Sequence, residues 1–282
     1  MEVTLAEPRG FCAGVNRAIN ILATVVKNSD EPVYAYHEIV HNKWVARDFQ
    51  RRGVVFVDSI EVVPDGALLL FSAHGVSPVV RAQAAARKMR TIDATCPLVH
   101  RLHLQARQFA KDGFRIVFIG KRGHDEAIGV LGEAPDVVEL ASTLEDVDAI
   151  TFRPEDKVAY LMQTTLSVVE AQEIVDALRR KFPKLVDPPH PGVCTATQQR
   201  QDAVRKLAPG HDIAIIVGSA NSSNSQRLVE VAKSVGVPAY LVNGVEDVPW
   251  GKLTPESRVF LTAGASAPER VVQTVAQFLR DV

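Results

Sequence analysis

Short runs of Val, Ile, Leu and Phe alternate along the whole chain with longer amphipathic stretches. VVFVD (54–58), RIVFIG (115–120), DIAIIVGS (212–219) and AYLV (239–242) are typical runs; AGVNRAINILATVV from Ala13 and VVEAQEIVDALRRKF from Val168 are typical stretches. The runs lack an in-out alternation, so they predict strands covered on both faces, whereas apolar positions three and four apart predict helices between them. Strand and helix in strict alternation predict an α/β fold with mainly parallel sheets.

Cutting the chain at its three cysteines exposes a repeat, because Cys12, Cys96 and Cys194 each close an expected strand and open an expected helix. The first piece carries the strand PVYAYHEIV (32–40), a polar loop at His41 and Asn42, a helix from Lys43, VVFVD, ALLLFSAHG, a helix from Val79 and TIDAT. The second carries a helix over 101–110, RIVFIG, the polar loop GKRGHDE, VVEL, KVAYLMQTT, the helix from Val168 and the strand KLVD (184–187). The third carries a helix over 200–208, DIAIIVGS, the loop ANSSNSQ, LVEVAKSVG, AYLV, SRVFLTAGAS and a helix from Glu269 to Val282. His41, His124 and Ser222 follow their cysteines by 29, 28 and 28 residues; His74, Thr164 and Ser266 follow by 62, 68 and 72. One duplicated αβ unit accounts for these spacings, with units over 12–95, 96–193 and 194–282 plus 1–11. The third unit ends one strand short, and Glu2–Ala6 precedes Cys12 as TIDAT precedes Cys96. These N-terminal residues are therefore expected in the sheet of the third unit.

Ligands of parallel sheets bind beyond the carboxyl ends of the strands, where all three cysteines and both sets of polar loops fall. Three units around an axis would direct them into one central cavity. A lone cysteine is more often a small buried hydrophobe, but three in one repeated slot point to a metal centre, and a helix N-terminus favours thiolate. The odd count and the absence of a signal-like N-terminus argue against a disulfide framework and for the reducing cytoplasm. Three thiolates fit catalytic zinc with an open position, or a 4Fe-4S cluster whose fourth iron lacks a protein ligand. The wide separation of the cysteines argues for a cofactor assembled between units.

The 282 residues carry a formal net charge of −1 and scattered basic residues, which leaves no footprint for nucleic acid or an acidic membrane. No apolar run is long enough to span a bilayer. Walker and G-x-G-x-x-G patterns are absent, so nucleotide binding is unsupported. The loops instead offer hydrogen-bond donors suited to phosphate oxygens: His41 and Asn42, His124, Ser222, Ser223 and Asn224 in one slot, His74, Thr164 with Thr165, and Ser266 in the other. Helix capping is the simpler reading of the serines, and both roles are compatible. Glu126 is the one carboxylate inside a repeated loop and the natural proton donor. His37, His100, His103, His190 and His211 lie outside the repeated slots and receive no role.

PRGFCAGVNRAI, HEIVHN, FSAHGVS, DATCPLV, GHDE followed by Gly129, QTTLSV, CTATQQRQ, GSANSSNSQRL and TAGASAP resemble, nearly end to end and in order, the motifs of the 4-hydroxy-3-methylbut-2-enyl diphosphate reductases (LytB/IspH). The resemblance implies three αβ units in pseudo-threefold arrangement around one 4Fe-4S cluster on Cys12, Cys96 and Cys194. It implies a reductive dehydroxylation, the last step of the non-mevalonate isoprenoid route, giving isopentenyl and dimethylallyl diphosphates at the open iron, with a ferredoxin- or flavodoxin-type electron donor. His41, His74, His124, Ser222, Ser223, Asn224 and Ser266 would hold the diphosphate, and Thr164 and Glu126, beside His124, would bond the substrate hydroxyl and relay protons. No Arg or Lys is in that set, so protonated histidines would supply its positive charge. Asp125 stands where proline is usual and adds a negative charge beside the proposed acid; Thr195 and Gln199 replace the usual tyrosine and asparagine. A dehydratase using the iron only as a Lewis acid, or an iron-sulfur sensor, are the rival classes; a sensor would have little need of His124, Glu126 and Thr164.

Overall fold

The structure is a computed structural model that describes residues 1–190 and 192–281. Its strands are β1 (Glu2–Leu5), β2 (Val33–Tyr36), β3 (Val54–Val57), β4 (Leu68–Phe71), β5 (Arg90–Asp93), β6 (Arg115–Ile119), β7 (Val138–Ala141), β8 (Val158–Met162), β9 (Ile213–Val217), β10 (Ala239–Val242) and β11 (Arg258–Ala263). The helices are α1 (Ala13–Lys27), α2 (Lys43–Arg51), α3 (Pro78–Ala86), α4 (Pro97–Lys111), α5 (Asp125–Leu131), α6 (Leu144–Ala149), α7 (Val168–Lys181), α8 (Thr195–Leu207), α9 (Ser223–Ser234) and α10 (Glu269–Asp281).

The strands form three sheets, ordered β3-β2-β4-β5, β7-β6-β8 and β1-β11-β9-β10, and every pairing is parallel. This is the α/β class read from the uninterrupted apolar runs. Along β9, Ile213, Ile215 and Val217 enter one core while Ala214 and Ile216 enter another; along β6, Val117 and Ile119 part in the same way from Ile116 and Phe118. Both faces of these strands are thus buried, which is why their sequences show no polar face. Truncating Phe118 or Phe260, each fully buried, would cost roughly 3–5 kcal/mol.

Contacts gather the chain into two compact units. A terminal unit holds Met1–Asn16, Val40–Arg51 and Thr195–Val282, and a central unit holds Arg17–Ile39 and Arg52–Cys194. In the terminal unit β1 pairs with β11, in register from Glu2 opposite Arg258 to Leu5 opposite Leu261. The N-terminal strand therefore completes the last sheet, as the strand count predicts. The segment with His41 and α2 also belongs to this unit, although β2 and β3 on either side of it belong to the central one.

Several expected elements differ. The run PVYAYHEIV leaves the sheet after Tyr36, because His37 takes a left-handed φ of 60° that no strand accommodates. KLVD is reduced to one isolated bridge, Val186 beside Ala159. The loop GKRGHDE turns directly into α5, whose first turn is capped by the loop's own histidine, and α8 starts at Thr195, five residues before its first apolar-periodic stretch. The final helix is described to Asp281; Val282 lies outside the described residues. Among the described residues no helix is long and apolar enough to cross a membrane.

Candidate functional site

The three cysteines, none in a disulfide, share one backbone arrangement. Cys12 N–H donates to Ala265 O (3.2 Å), Cys96 N–H to Ala73 O (2.9 Å) and Cys194 N–H to Thr164 O (3.0 Å). The acceptors lie at or one residue before Ser266, His74 and Thr164, the residues expected from the sequence in the second polar slot after each cysteine. Every cysteine is thereby pinned beside a donor loop that follows a strand end, β11, β4 or β8. Cys96 stands at the N-cap of α4 with Pro97 behind it, and its side chain does not cap the helix. Cys12 and Cys194 immediately precede the first residues of α1 and α8.

In the central unit the acid and its partner are closely coupled. Glu126 is 2% exposed; its Oε1 accepts Thr164 N–H at 2.7 Å and its Oε2 accepts the Thr164 hydroxyl at 2.7 Å. Burial raises the Glu126 pKa to about 7, against the opposing effect of both Thr164 bonds. His124 caps α5 by accepting Glu126 N–H on Nδ1 at 3.1 Å, so its Nε2 carries the proton of the neutral ring. The His74 ring meets the His124 ring edge-on at 5.8 Å. Buried Gln163 ties the two loops together, accepting Lys121 N–H (2.7 Å) and donating to Thr165 Oγ1 (3.1 Å). The carboxylate of Asp125, the residue before the acid, lies 2.6 Å from His37 Nδ1 and 3.8 Å from His74 Nδ1.

The terminal unit brings together Cys12, the His41 segment, Ser222, Asn224 and Ser266. Ser222 caps α9 at Ser225 N–H and accepts the Ser225 hydroxyl at 3.0 Å; Ser266 Oγ lies 3.4 Å from Ser222 Oγ and donates to His41 O at 2.9 Å. Ser223 is the first residue of α9. Gly218 and Gly264 let this helix start close to the strand ends, since a Cβ on either would fall 2.2 or 2.0 Å from Ser225 Oγ. Asn224 Oδ1 accepts Ala265 N–H at 2.9 Å, which aims the amide; its buried Nδ2 makes no hydrogen bond to a described residue. Asn42 serves as a cap, its Oδ1 accepting from the N–H groups of Trp44 and Val45. Capping, the simpler reading of these loops, is thus present for Ser222 and Asn42.

Sequence reasoning missed Gln163, His37 and Arg200. Arg200 donates to Gly10 O at 2.7 Å and so holds the loop before Cys12 from α8. It is 4% exposed, and an arginine inside the apolar period of a helix was its one sequence signal. His37 preceded the polar loop by too few residues to enter a repeated slot.

The fold and site define an α/β protein of parallel sheets that brings three thiols, a buried acid and neutral donors to strand ends. The LytB protein family matches residues 3–280, and the chain belongs to it. A 4-hydroxy-3-methylbut-2-enyl diphosphate reductase of Rhodopirellula baltica is 50% identical over 100% of this chain and 88% of its own length. One of Rhodococcus opacus is 52% identical over 99% and 83%. The structure of the E-1-hydroxy-2-methyl-but-2-enyl-4-diphosphate reductase from Plasmodium falciparum superposes with a TM-score of 0.95 at 39% identity, covering 99% of this chain and 87% of that one. A second structure, (E)-4-hydroxy-3-methyl-but-2-enyl diphosphate reductase, described as the terminal enzyme of the non-mevalonate pathway, gives 0.69 at 29% identity over 100% and 99%.

Proposed function

We propose that this chain is a 4-hydroxy-3-methylbut-2-enyl diphosphate reductase. It removes the allylic hydroxyl as water with two electrons and two protons, leaving isopentenyl and dimethylallyl diphosphates. Membership of the family supports the reaction, and the observation that carries the chemistry is the buried Glu126–Thr164 pair one hydrogen bond from Cys194.

Cys12, Cys96 and Cys194 would hold one 4Fe-4S cluster per chain. The fit rests on the donor set: three thiols outside disulfides, each pinned at the same place beside a donor loop. When bound, the cluster would pass on, one at a time, the two electrons that the external donor delivers, and would offer an iron with Lewis acidity. The same reading takes 12–95, 96–193 and 194–282 with 1–11 as the three repeated units, supported by three separate sheets and by the β1–β11 pairing.

The chain's own groups bind and move protons. A carboxyl with a pKa of about 7 is about half protonated at neutral pH, so it can both give up a proton and regain one, as a general acid must. Once Glu126 is protonated, its O–H donates to Thr164 Oγ1 and the Thr164 hydroxyl turns outward. One proton then reaches the leaving hydroxyl through Thr164, the carbon–oxygen bond breaks and water departs. The two electrons and the second proton complete the allylic carbon. His41, His74, His124, Ser222, Ser223, Asn224 and Ser266 orient the diphosphate, and the unmatched Nδ2 of Asn224 gains an acceptor there. The electron donor is of ferredoxin or flavodoxin type, and the setting is the cytoplasm.

The test is turnover by anaerobically reconstituted protein with a reduced viologen. Both isopentenyl and dimethylallyl diphosphates should form, two electrons being consumed per water released. Substrate loss without electron uptake would indicate a dehydratase and overturn the assignment.

A further inference from the structure

The two histidines that face each other in the central unit are held in opposite ways. His124 Nδ1 accepts the backbone N–H of Glu126 at 3.1 Å, and a second ring proton would break that bond. His74 Nδ1 is faced instead by an Asp125 carboxylate oxygen at 3.8 Å, and by Ser72 Oγ at 3.3 Å, a hydroxyl that can accept there as well as donate. A proton on that nitrogen is stabilised, which leaves Nε2 able to carry another.

Asp125 itself is held in place. Its second oxygen lies 2.6 Å from His37 Nδ1, and His37 is fixed by its left-handed φ of 60° and by its N–H bond to Val57 O at 2.9 Å. Burial opposes charge on His37, but the hydrogen bond and field of Asp125, with the field of Asp58, outweigh it and hold the imidazole above its ordinary value. The same two acids, together with burial, push the Tyr36 hydroxyl up. Two carboxylates, Asp125 and Asp58, therefore act on His37 and favour its charged form. Glu126, its pKa raised to about 7, carries at most a partial charge near neutral pH. His74, with Nδ1 3.8 Å from the other Asp125 oxygen, is placed to carry a further positive charge.

We propose that, on the diphosphate-binding reading above, His74 binds as an imidazolium and His124 as a neutral imidazole, with Asp125 the positioning residue that keeps His74 charged. The histidines thus divide the work: one supplies charge, the other a directional donor from Nε2.

Inorganic diphosphate binding to the reconstituted holoenzyme tests this by calorimetry between pH 6 and 9, wild type and variants being compared so that the probe's own titration cancels. Affinity should fall as pH rises through the His74 titration. Asp125→Asn should move that fall about one pH unit lower, since an opposite charge at this range shifts a titration by about a unit or more. His37→Gln should move it the other way, because Asp125 is no longer shared. His74→Gln should remove the pH dependence, while His124→Gln weakens binding and leaves its position unchanged. If His74→Gln removes the fall but Asp125→Asn and His37→Gln leave it where it was, the role of Asp125 is wrong. If His124→Gln removes it, the charge assignment is reversed. Unchanged diphosphate binding in both His74→Gln and His124→Gln sinks the proposal and the diphosphate reading together.

Discussion

The donor loops of the terminal unit contrast with those of the central unit. Around Ser222, Asn224 and Ser266 the side-chain groups are hydroxyls and an amide, oriented by backbone N–H and C=O groups and by the packing of α9 against Gly218 and Gly264. None of these three titrates. Around Glu126, Thr164, His74 and His124 nearly every group can gain or lose a proton, and burial brings the acid to about 7. The difference teaches that loops at like places in the fold can present fixed hydrogen-bonding groups in one unit and titratable groups in the other, and that burial and hydrogen-bond direction set what the titratable ones can do.

Replacing cysteines probes what the two regions share. Cys12→Ser in the terminal unit and Cys96→Ser or Cys194→Ser in the central unit should each abolish reduction and the brown iron-sulfur absorbance. A single variant that kept full iron and sulfide content would show that the three are not equivalent.

Glu126→Gln should separate the regions. Turnover should drop about 10²–10⁴-fold, the usual contribution of a positioned acid, with KM little changed and the alkaline fall of kcat near pH 7 removed. Near-normal steady-state reduction would end the proton-donor assignment.

The same carboxyl predicts a pH dependence of stability. Its folded value, about 7, lies above the ordinary 4.5, so between those values the folded state binds more protons than the unfolded one. Stability is therefore highest below about pH 4.5 as far as this group is concerned, falls as pH rises and levels off above about 7. The full difference is roughly 3 kcal/mol. Glu126→Gln should remove this component, gaining stability relative to wild type at pH 8 but not at pH 4.5, as read from urea midpoints; equal gains at both would refute it.

Ser222→Ala and Asn224→Ala should give the smallest changes. Each loses about 1 kcal/mol of binding, roughly a fivefold rise in KM, at every pH and with kcat preserved. A pH-dependent loss would mean that the terminal loops also take part in proton chemistry.

The alternation of apolar runs with amphipathic stretches was enough to establish the α/β class and the parallel sheets, because strands covered on both faces cannot hide their composition. Counting strands placed β1 beside β11, since a repeat that lacks its last strand must recover it from the other end of the chain. The candidate residues were picked for a related reason: polar loops at expected strand ends follow the three cysteines at similar distances, 29, 28 and 28 residues for the first. Local patterns failed where long-range contacts override them. Nothing in YHEIV announces that His37 turns left-handed and meets Asp125 at 2.6 Å. Nothing in QTT shows Gln163 pinning one loop while its neighbour Thr164 grips the acid. The sequence by itself determined which groups could bind metal, donate hydrogen bonds or carry a proton, because those are properties of residue type and spacing. Only the tertiary structure decided that Glu126 is buried enough to raise its pKa to about 7, that His124 Nδ1 accepts a backbone N–H and that Asp125 meets His37. Charge state depends on burial and on partners distant in the chain, and neither is written in local order.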